Sequence, residues 1–332
     1  MSGAADTAAA AAVAAVAGSS DPAALPLGGR VAIVTGASRG IGRAIAAHLS
    51  SLGASVVVGY AASAAQADAL AAELPRAVAV RADVSEEAGV RSLFDAAESA
   101  FGCAAPHILV ANAGVLGDKY PSLAATATAD FDRVLAVNAR GAFLCLREAA
   151  NRLPRGGGGR IVAVTSSVVG SNPTGYSAYT ASKAAVEAMV RTMAKELKGT
   201  RVTANCVAPG ATATDMLFAG KSDETVRGFA GTNPMERLGE ASDIAPVVGF
   251  LCTDAAEWVN GQVIRVNGGI GARGTFFLAG GCTRDSIVWS ILQSLACSVE
   301  FGYLRHSGML VLVTRPHLSF VMFCVVMSFL VC

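Results

Sequence analysis

The chain has 332 residues, 53% of them hydrophobic and only 15% charged, with a formal net charge of +1. That balance excludes the basic footprint of a nucleic-acid binder, and the length suits one large α/β domain with an appendage. The eight cysteines form no Cys-x-x-Cys pair and the four histidines are scattered. They predict reduced core thiols, with neither a disulfide framework nor a metal site.

Residues 1–29 are rich in alanine, contain Asp6, and have no basic residue before Arg30. They match neither a secretory signal nor an Arg- and Ser-rich transit peptide. A disordered leader and a cytoplasmic location are expected, with plastid import as the alternative. From residue 31 onward, apolar strand candidates alternate with helical patterns. Strands are predicted at 31–34, 55–58, 77–80, 107–111, 160–164, 201–207 and 262–266. Helices are predicted at 86–101, 128–152, 178–197 and 241–252. Such alternation specifies βαβ units with right-handed crossovers. The predicted class is therefore α/β, a doubly wound parallel sheet of the Rossmann type, over residues 30–270. Residues 271–332 form an atypical C-terminal extension holding half the cysteines. The final run 318–332 is strongly apolar but shorter than the ~20 residues of a membrane helix. It is read as outside the catalytic design, with a weak tail anchor touching the membrane as the less favoured alternative.

The first strand runs into Thr35-Gly36-Ala37-Ser38-Arg39-Gly40-Ile41-Gly42, and a helical pattern follows. Glycines at such a junction let backbone approach a pyrophosphate, which the free N–H groups and dipole of the helix then face. Taken alone, the spacing G-x-x-x-G-x-G is also that of an ordinary glycine-rich turn. The position between strand and helix favours a dinucleotide site, with Gly36, Ser38, Arg39, Gly40, Ile41 and Gly42 as its residues. The end of the second strand, Val58-Gly59-Tyr60-Ala61-Ala62-Ser63, carries none of the acid that would bond a ribose 2′-hydroxyl. With Arg39 as a charge-assisted partner for a 2′-phosphate, NADPH is the predicted cofactor, and Tyr60 joins the candidate residues.

Downstream come Asn112-Ala113-Gly114, Ser166-Ser167-Val168-Val169-Gly170 and Tyr179-Thr180-Ala181-Ser182-Lys183. Together with the glycine turn, and in this order, these motifs resemble the short-chain dehydrogenase/reductase family over residues 30–269. Within it, residues 175–183, 194–200 and 257–262 are similar to plant NADPH-dependent aldehyde reductases.

Tyr179 and Lys183 are four apart in a helical pattern and so share a face. Tyrosine titrates near 10, and a lysine ammonium beside it is expected to lower that value and let the phenol transfer a proton at neutral pH. The resemblance implies that Tyr179 is the proton donor, Lys183 its partner, and Ser167 a hydrogen-bond donor to the substrate oxygen. Ser166 is the rival, because the spacing from Ser167 to Tyr179 is one residue shorter than the commonest family spacing. Asn138 matches the family's asparagine, where a helix distortion accompanies a proton relay to the lysine. It reads equally as a polar residue packed inside a helix. Asp83-Val84 and Asn112-Ala113-Gly114 resemble adenine-side contacts. Pro209-Gly210, with Thr212 and Thr214, resembles the segment gripping the nicotinamide carboxamide. In residues 214–236, Met216, Leu217, Phe218, Phe229 and Met235 are read evenly as an apolar substrate wall or as helix packing.

The expected activity is NADPH-dependent reduction of small aldehydes or ketones by a homodimer or homotetramer. A 3-oxoacyl thioester reductase is the second enzymatic reading. A catalytically silent dinucleotide-binding regulator is the reading from another class, against which Asn138, Ser167, Tyr179 and Lys183 speak together.

Overall fold

The computed structural model describes residues 25–117 and 119–270, together with the backbone of residues 305–306 and 309–310. Seven strands form one sheet: β1 (Val31–Val34), β2 (Ser55–Tyr60), β3 (Ala77–Arg81), β4 (Ile108–Ala111), β5 (Arg160–Val164), β6 (Thr203–Pro209) and β7 (Val263–Val266). Their order is β3-β2-β1-β4-β5-β6-β7, and every neighbouring pair is parallel. The predicted strands are all present, displaced by at most two residues at their ends.

A parallel sheet covered on both faces has to be apolar on both. Strand alternation sends Val31, Ile33, Leu109 and Ile161 to one face, and Ala32, Val34, Val56, Val110 and Val162 to the other. The first face is covered by α3 (Glu87–Phe101), α5 (Gly141–Arg152) and α7 (Ser177–Glu196) through Leu93, Phe94, Leu144, Val186 and Val190. The second is covered by α1 (Gly40–Ser51), α2 (Ala64–Glu73) and α10 (Ala241–Cys252) through Ile45, Leu49, Leu70, Ile244 and Val248.

The structure departs from the sequence expectations in three places. The predicted helix 128–152 is α4 (Thr128–Leu135) and α5 joined by a π-helical turn, Ala136–Arg140. Helix α2 and the one-turn helix α6 (Val168–Ser171) are not among the predicted elements. The folded unit also begins before Arg30: Leu27 is fully buried, and its N–H donates to the Leu52 carbonyl at 2.8 Å. An apolar side chain against the end of α1 thus draws the last predicted leader residues into the core. The rest of the leader, residues 1–24, lies outside the described residues.

Within the separate unit Gly274–Cys332, β8 (Arg305–His306) and β9 (Met309–Leu310) pair antiparallel. The apolar run 318–332 and its tail-anchor alternative lie outside the described residues. Among the described residues, no helix is long and apolar enough to cross a membrane, and no three His, Cys, Asp or Glu side chains are grouped to hold a metal.

Candidate active site

Strand order reverses between β1 and β4, and there the carboxyl ends of the strands open a cleft of about 990 Å³. Gly36, Ser38, Arg39, Gly40, Ile41 and Gly42 line one end of it. Gly36 has φ +64°, and a Cβ there would lie 2.8 Å from Ala113 Cα, so only glycine fits. A Cβ on Gly42 would collide with the Gly36 carbonyl. The next motif braces this turn. Asn112 Nδ2 donates to the carbonyls of Thr35 and Gly36 at 2.9 and 3.1 Å. Thr35 Oγ1 accepts from the N–H groups of Asn112 and Ala113, both at 3.0 Å. Beyond the turn α1 begins with no acid in its first turn. This cradle, narrow enough to exclude side chains and topped by free helix N–H groups, fits a dinucleotide pyrophosphate.

At the end of β2 the cleft is lined by Gly59, Ala61, Ala62 and Ser63, none of them acidic. Tyr60 is not among them. Strand alternation turns its ring away, against the α1, α2 and α10 side of the core. Two arginines line this end, Arg39 and the unanticipated Arg43. Arg39 is paired with Asp215 at 3.1 Å, and Arg43 with Glu73 at 2.6 Å. Asp83 and Val84 also line the cleft, and the Asp83 carboxylate accepts from the N–H and hydroxyl of Ser85 at 2.9 and 2.7 Å.

At the other end, α7 carries Tyr179 and Lys183 into the cleft with Gly114, Ser166 and Ser167. The Lys183 ammonium donates to the Val164 carbonyl at 2.9 Å and lies 5.7 Å from the centre of the Tyr179 ring. Burial pushes the phenol up to about 12 and the lysine down to about 8. The expected lowering of the phenol by lysine is not found: desolvation dominates, and the nearby Ser166 hydroxyl acts in the lowering direction.

The two serines differ in what their hydroxyls do: Ser166 Oγ accepts from Val168 N at 3.4 Å and keeps its proton free. Ser167 Oγ points into β6 and donates to the Ala208 carbonyl at 3.0 Å. Its single hydroxyl proton is therefore committed away from the phenol. Asn138, in the π turn, is fully enclosed. Its Oδ1 accepts from Val115 N at 2.7 Å, and its Nδ2 donates to the Val115 carbonyl and Ser182 Oγ at 2.9 and 3.1 Å. It therefore ties the exit of β4 to the residue preceding Lys183.

Pro209, Gly210, Thr212 and Thr214 line the cleft beside β6. Thr212 Oγ1 donates to the Gly210 carbonyl at 3.0 Å. Thr214 Oγ1 accepts from Leu217 N at 3.4 Å and caps α8 (Asp215–Phe218). After it comes α9 (Asp223–Gly231), capped by Ser222. Of the apolar residues in this segment, Met216, Leu217 and Phe229 face the cleft, whereas Phe218 and Met235 do not. Leu116, Pro173 and Tyr176 complete the wall, unanticipated. Tyr176 lies 5.1 Å from Tyr120 between ring centres, and Lys221 sits over the Tyr120 ring at 4.4 Å. These aromatic neighbours come from three loops that no single stretch of sequence brings together.

A doubly wound sheet with a glycine turn at its switch point, facing a Tyr–Lys pair on one helix, defines a dinucleotide-dependent oxidoreductase. A family model described as enoyl-(acyl carrier protein) reductase matches residues 36–271. The chain belongs to the short-chain dehydrogenase/reductase family. It is 57% identical over 258 residues to an NADPH-dependent aldehyde reductase-like protein, chloroplastic, of Arabidopsis thaliana, covering 74% of this chain and 95% of that one. A second Arabidopsis protein, NADPH-dependent aldehyde reductase 2, chloroplastic, is 52% identical over 74% of this chain and 95% of its own. Among solved structures, a Burkholderia cenocepacia short-chain dehydrogenase in complex with NADP is 36% identical with a TM-score of 0.68, covering 74% of this chain and 98% of that one.

Proposed function

We propose that this protein reduces small aldehydes or ketones to alcohols with NADPH. The observation that carries this reading is a Tyr179–Lys183–Ser166 group sharing one cleft with a glycine turn and an acid-free β2 end. When bound, NADPH supplies hydride to the carbonyl carbon. Tyr179 gives its proton to the carbonyl oxygen, and Ser166 hydrogen-bonds that oxygen as its charge grows. Lys183, cationic below about 8, stabilises the phenolate left behind. Asn138 holds Val115 and Ser182, and through them the lysine's surroundings. Ser167, whose proton goes to Ala208, anchors the turn that presents Ser166. Gly36, Gly40 and Gly42 admit the pyrophosphate, and Arg39 with Ser63 receives the 2′-phosphate. Met216, Leu217 and Phe229 supply an apolar wall for the substrate.

Two of the relatives are named chloroplastic, which supports the plastid alternative over the cytoplasmic expectation. A fluorescent fusion of residues 1–29 followed in leaf cells tests it, and diffuse cytosolic signal would remove it. Assembly as a homodimer or homotetramer is read from the family likeness and is checked by light scattering.

The central test follows NADPH and NADH oxidation by purified protein against a carbonyl panel. Small reactive aldehydes are expected to give the highest kcat/KM, with NADPH well ahead of NADH. Faster turnover of a 3-oxoacyl thioester would replace this reading with the thioester reductase, and equal use of both cofactors would remove the assignment of Arg39.

A further inference from the structure

Arg39 is met by an acid from the opposite wall of the cleft. Its guanidinium donates to the Asp215 carboxylate at 3.1 Å, and both side chains are more than half exposed. The other cleft arginine, Arg43, is paired as well, but its partner Glu73 belongs to α2 on the cofactor's own side. Asp215 is the first residue of α8, in the segment that covers the substrate end. The preceding residue, Thr214, places its Cγ2 3.3 Å from where a Cβ on Gly40 would sit. The covering segment therefore comes close beside the glycine turn, and the Arg39–Asp215 ion pair joins the two.

We infer that Asp215 is a specificity-determining residue, which holds down the preference for NADPH by competing with the 2′-phosphate for Arg39. This rests on Arg39 receiving that phosphate, as proposed above. A carboxylate 3.1 Å from the guanidinium places a negative charge beside the incoming phosphate. Either the two anions share the arginine and repel, or Asp215 gives way. NADH has no phosphate there and leaves the pair intact. Reciprocity then makes the effect run both ways. Phosphate on Arg39 frees Asp215 and removes the polar tie between α8 and the turn, so the 2′-phosphate loosens the cover over the substrate end.

Equilibrium titrations of NADPH and NADH, followed by nicotinamide fluorescence, test this on the full chain, Asp215→Asn, Arg39→Gln and the double variant. Asp215→Asn is expected to tighten NADPH about three- to tenfold, the scale of one exposed charge removed, and to change NADH less than about twofold. In the Arg39→Gln background, the same substitution should change NADPH affinity less than about twofold. If Arg39→Gln weakens NADPH selectively while Asp215→Asn leaves it unchanged, the inference on Asp215 falls and the cofactor reading stands. If Arg39→Gln alters neither cofactor, both fall. Equal tightening with and without Arg39 would assign the effect to bulk surface charge and also overturn it. A thermal melt confirms that each variant is folded.

Discussion

Lys183 and Ser167, in the floor of the cleft, and Asn138 behind it are 4%, 6% and 1% exposed, and each makes a hydrogen bond inside the protein. On the cover, Met216 and Phe218 are 39% and 46% exposed on a helix of four residues, and Met235 is 60% exposed in the turn after α9. The floor holds polar groups where water cannot rearrange them, so each donor and acceptor direction is set by the fold. The cover holds apolar groups with no fixed direction, capped only by Thr214 and Ser222. Chemistry thus sits on the rigid region and substrate selection on the adjustable one.

The strongest way to break this division is to remove the floor's proton. Tyr179→Phe should lower reductive kcat by about 10²–10⁴-fold, the usual worth of a positioned acid, while NADPH affinity stays within about twofold. Stopped-flow turnover and a fluorescence titration read the two separately, and retained turnover would remove the phenol from its role.

The two serines sharpen the comparison inside the floor itself. Ser166→Ala should cost about 10²-fold in kcat with stability nearly unchanged. Ser167→Ala should do the reverse, costing about 1 kcal/mol of stability for the lost bond to Ala208 and leaving kcat within about threefold. The opposite pattern in paired kinetic and melting measurements would return the role to Ser167.

A smaller effect comes with pH. Lys183 is cationic below about 8 and neutral above it. Since the cation stabilises the phenolate formed when Tyr179 gives up its proton, reductive kcat should be flat below pH 8. Above it, kcat should fall by up to about tenfold per unit. A rate that holds level to pH 10 would separate the lysine from the proton transfer.

The cover should yield the smallest change. Phe229→Ala is expected to raise KM for an apolar aldehyde about three- to tenfold, with kcat and melting temperature little altered. A collapse in kcat instead would show that the cover also positions the reacting atoms.

Much of this architecture was legible because its signals are repeated. The five inner strands are buried in a two-faced parallel sheet and read largely as apolar runs, and the half-buried edge strands β3 and β7 depart from that only at Arg81 and Arg265. The glycine turn and the Tyr179–Lys183 pair were equally plain, each being set by local spacing. What stayed hidden depends on direction. Tyr60 follows a cleft-lining glycine, yet alternation along β2 turns its ring to the core. Ser166 and Ser167 are adjacent, and only the exit of β5 decides which hydroxyl proton is tied to β6 and which stays free. The helix α2 is mostly alanine and buries only Ala67 and Leu70, so it shows little periodic contrast. Leu116, Pro173 and Tyr176 reach the cleft from loops remote in sequence, with no pattern to announce them.

The π-helical turn Ala136–Arg140 carries a constraint of another kind. Each residue of a helix turns its successors by about 100°. Adding or losing one residue in this turn would therefore swing Leu144, Leu146 and Ala149 of α5 off the sheet and Asn138 off Val115. Here chain length matters more than side-chain identity. Exchanges of residue at Ala136, Val137 or Ala139 leave the helix in phase, whereas a three-nucleotide insertion or deletion in the gene would dismantle core and active site together.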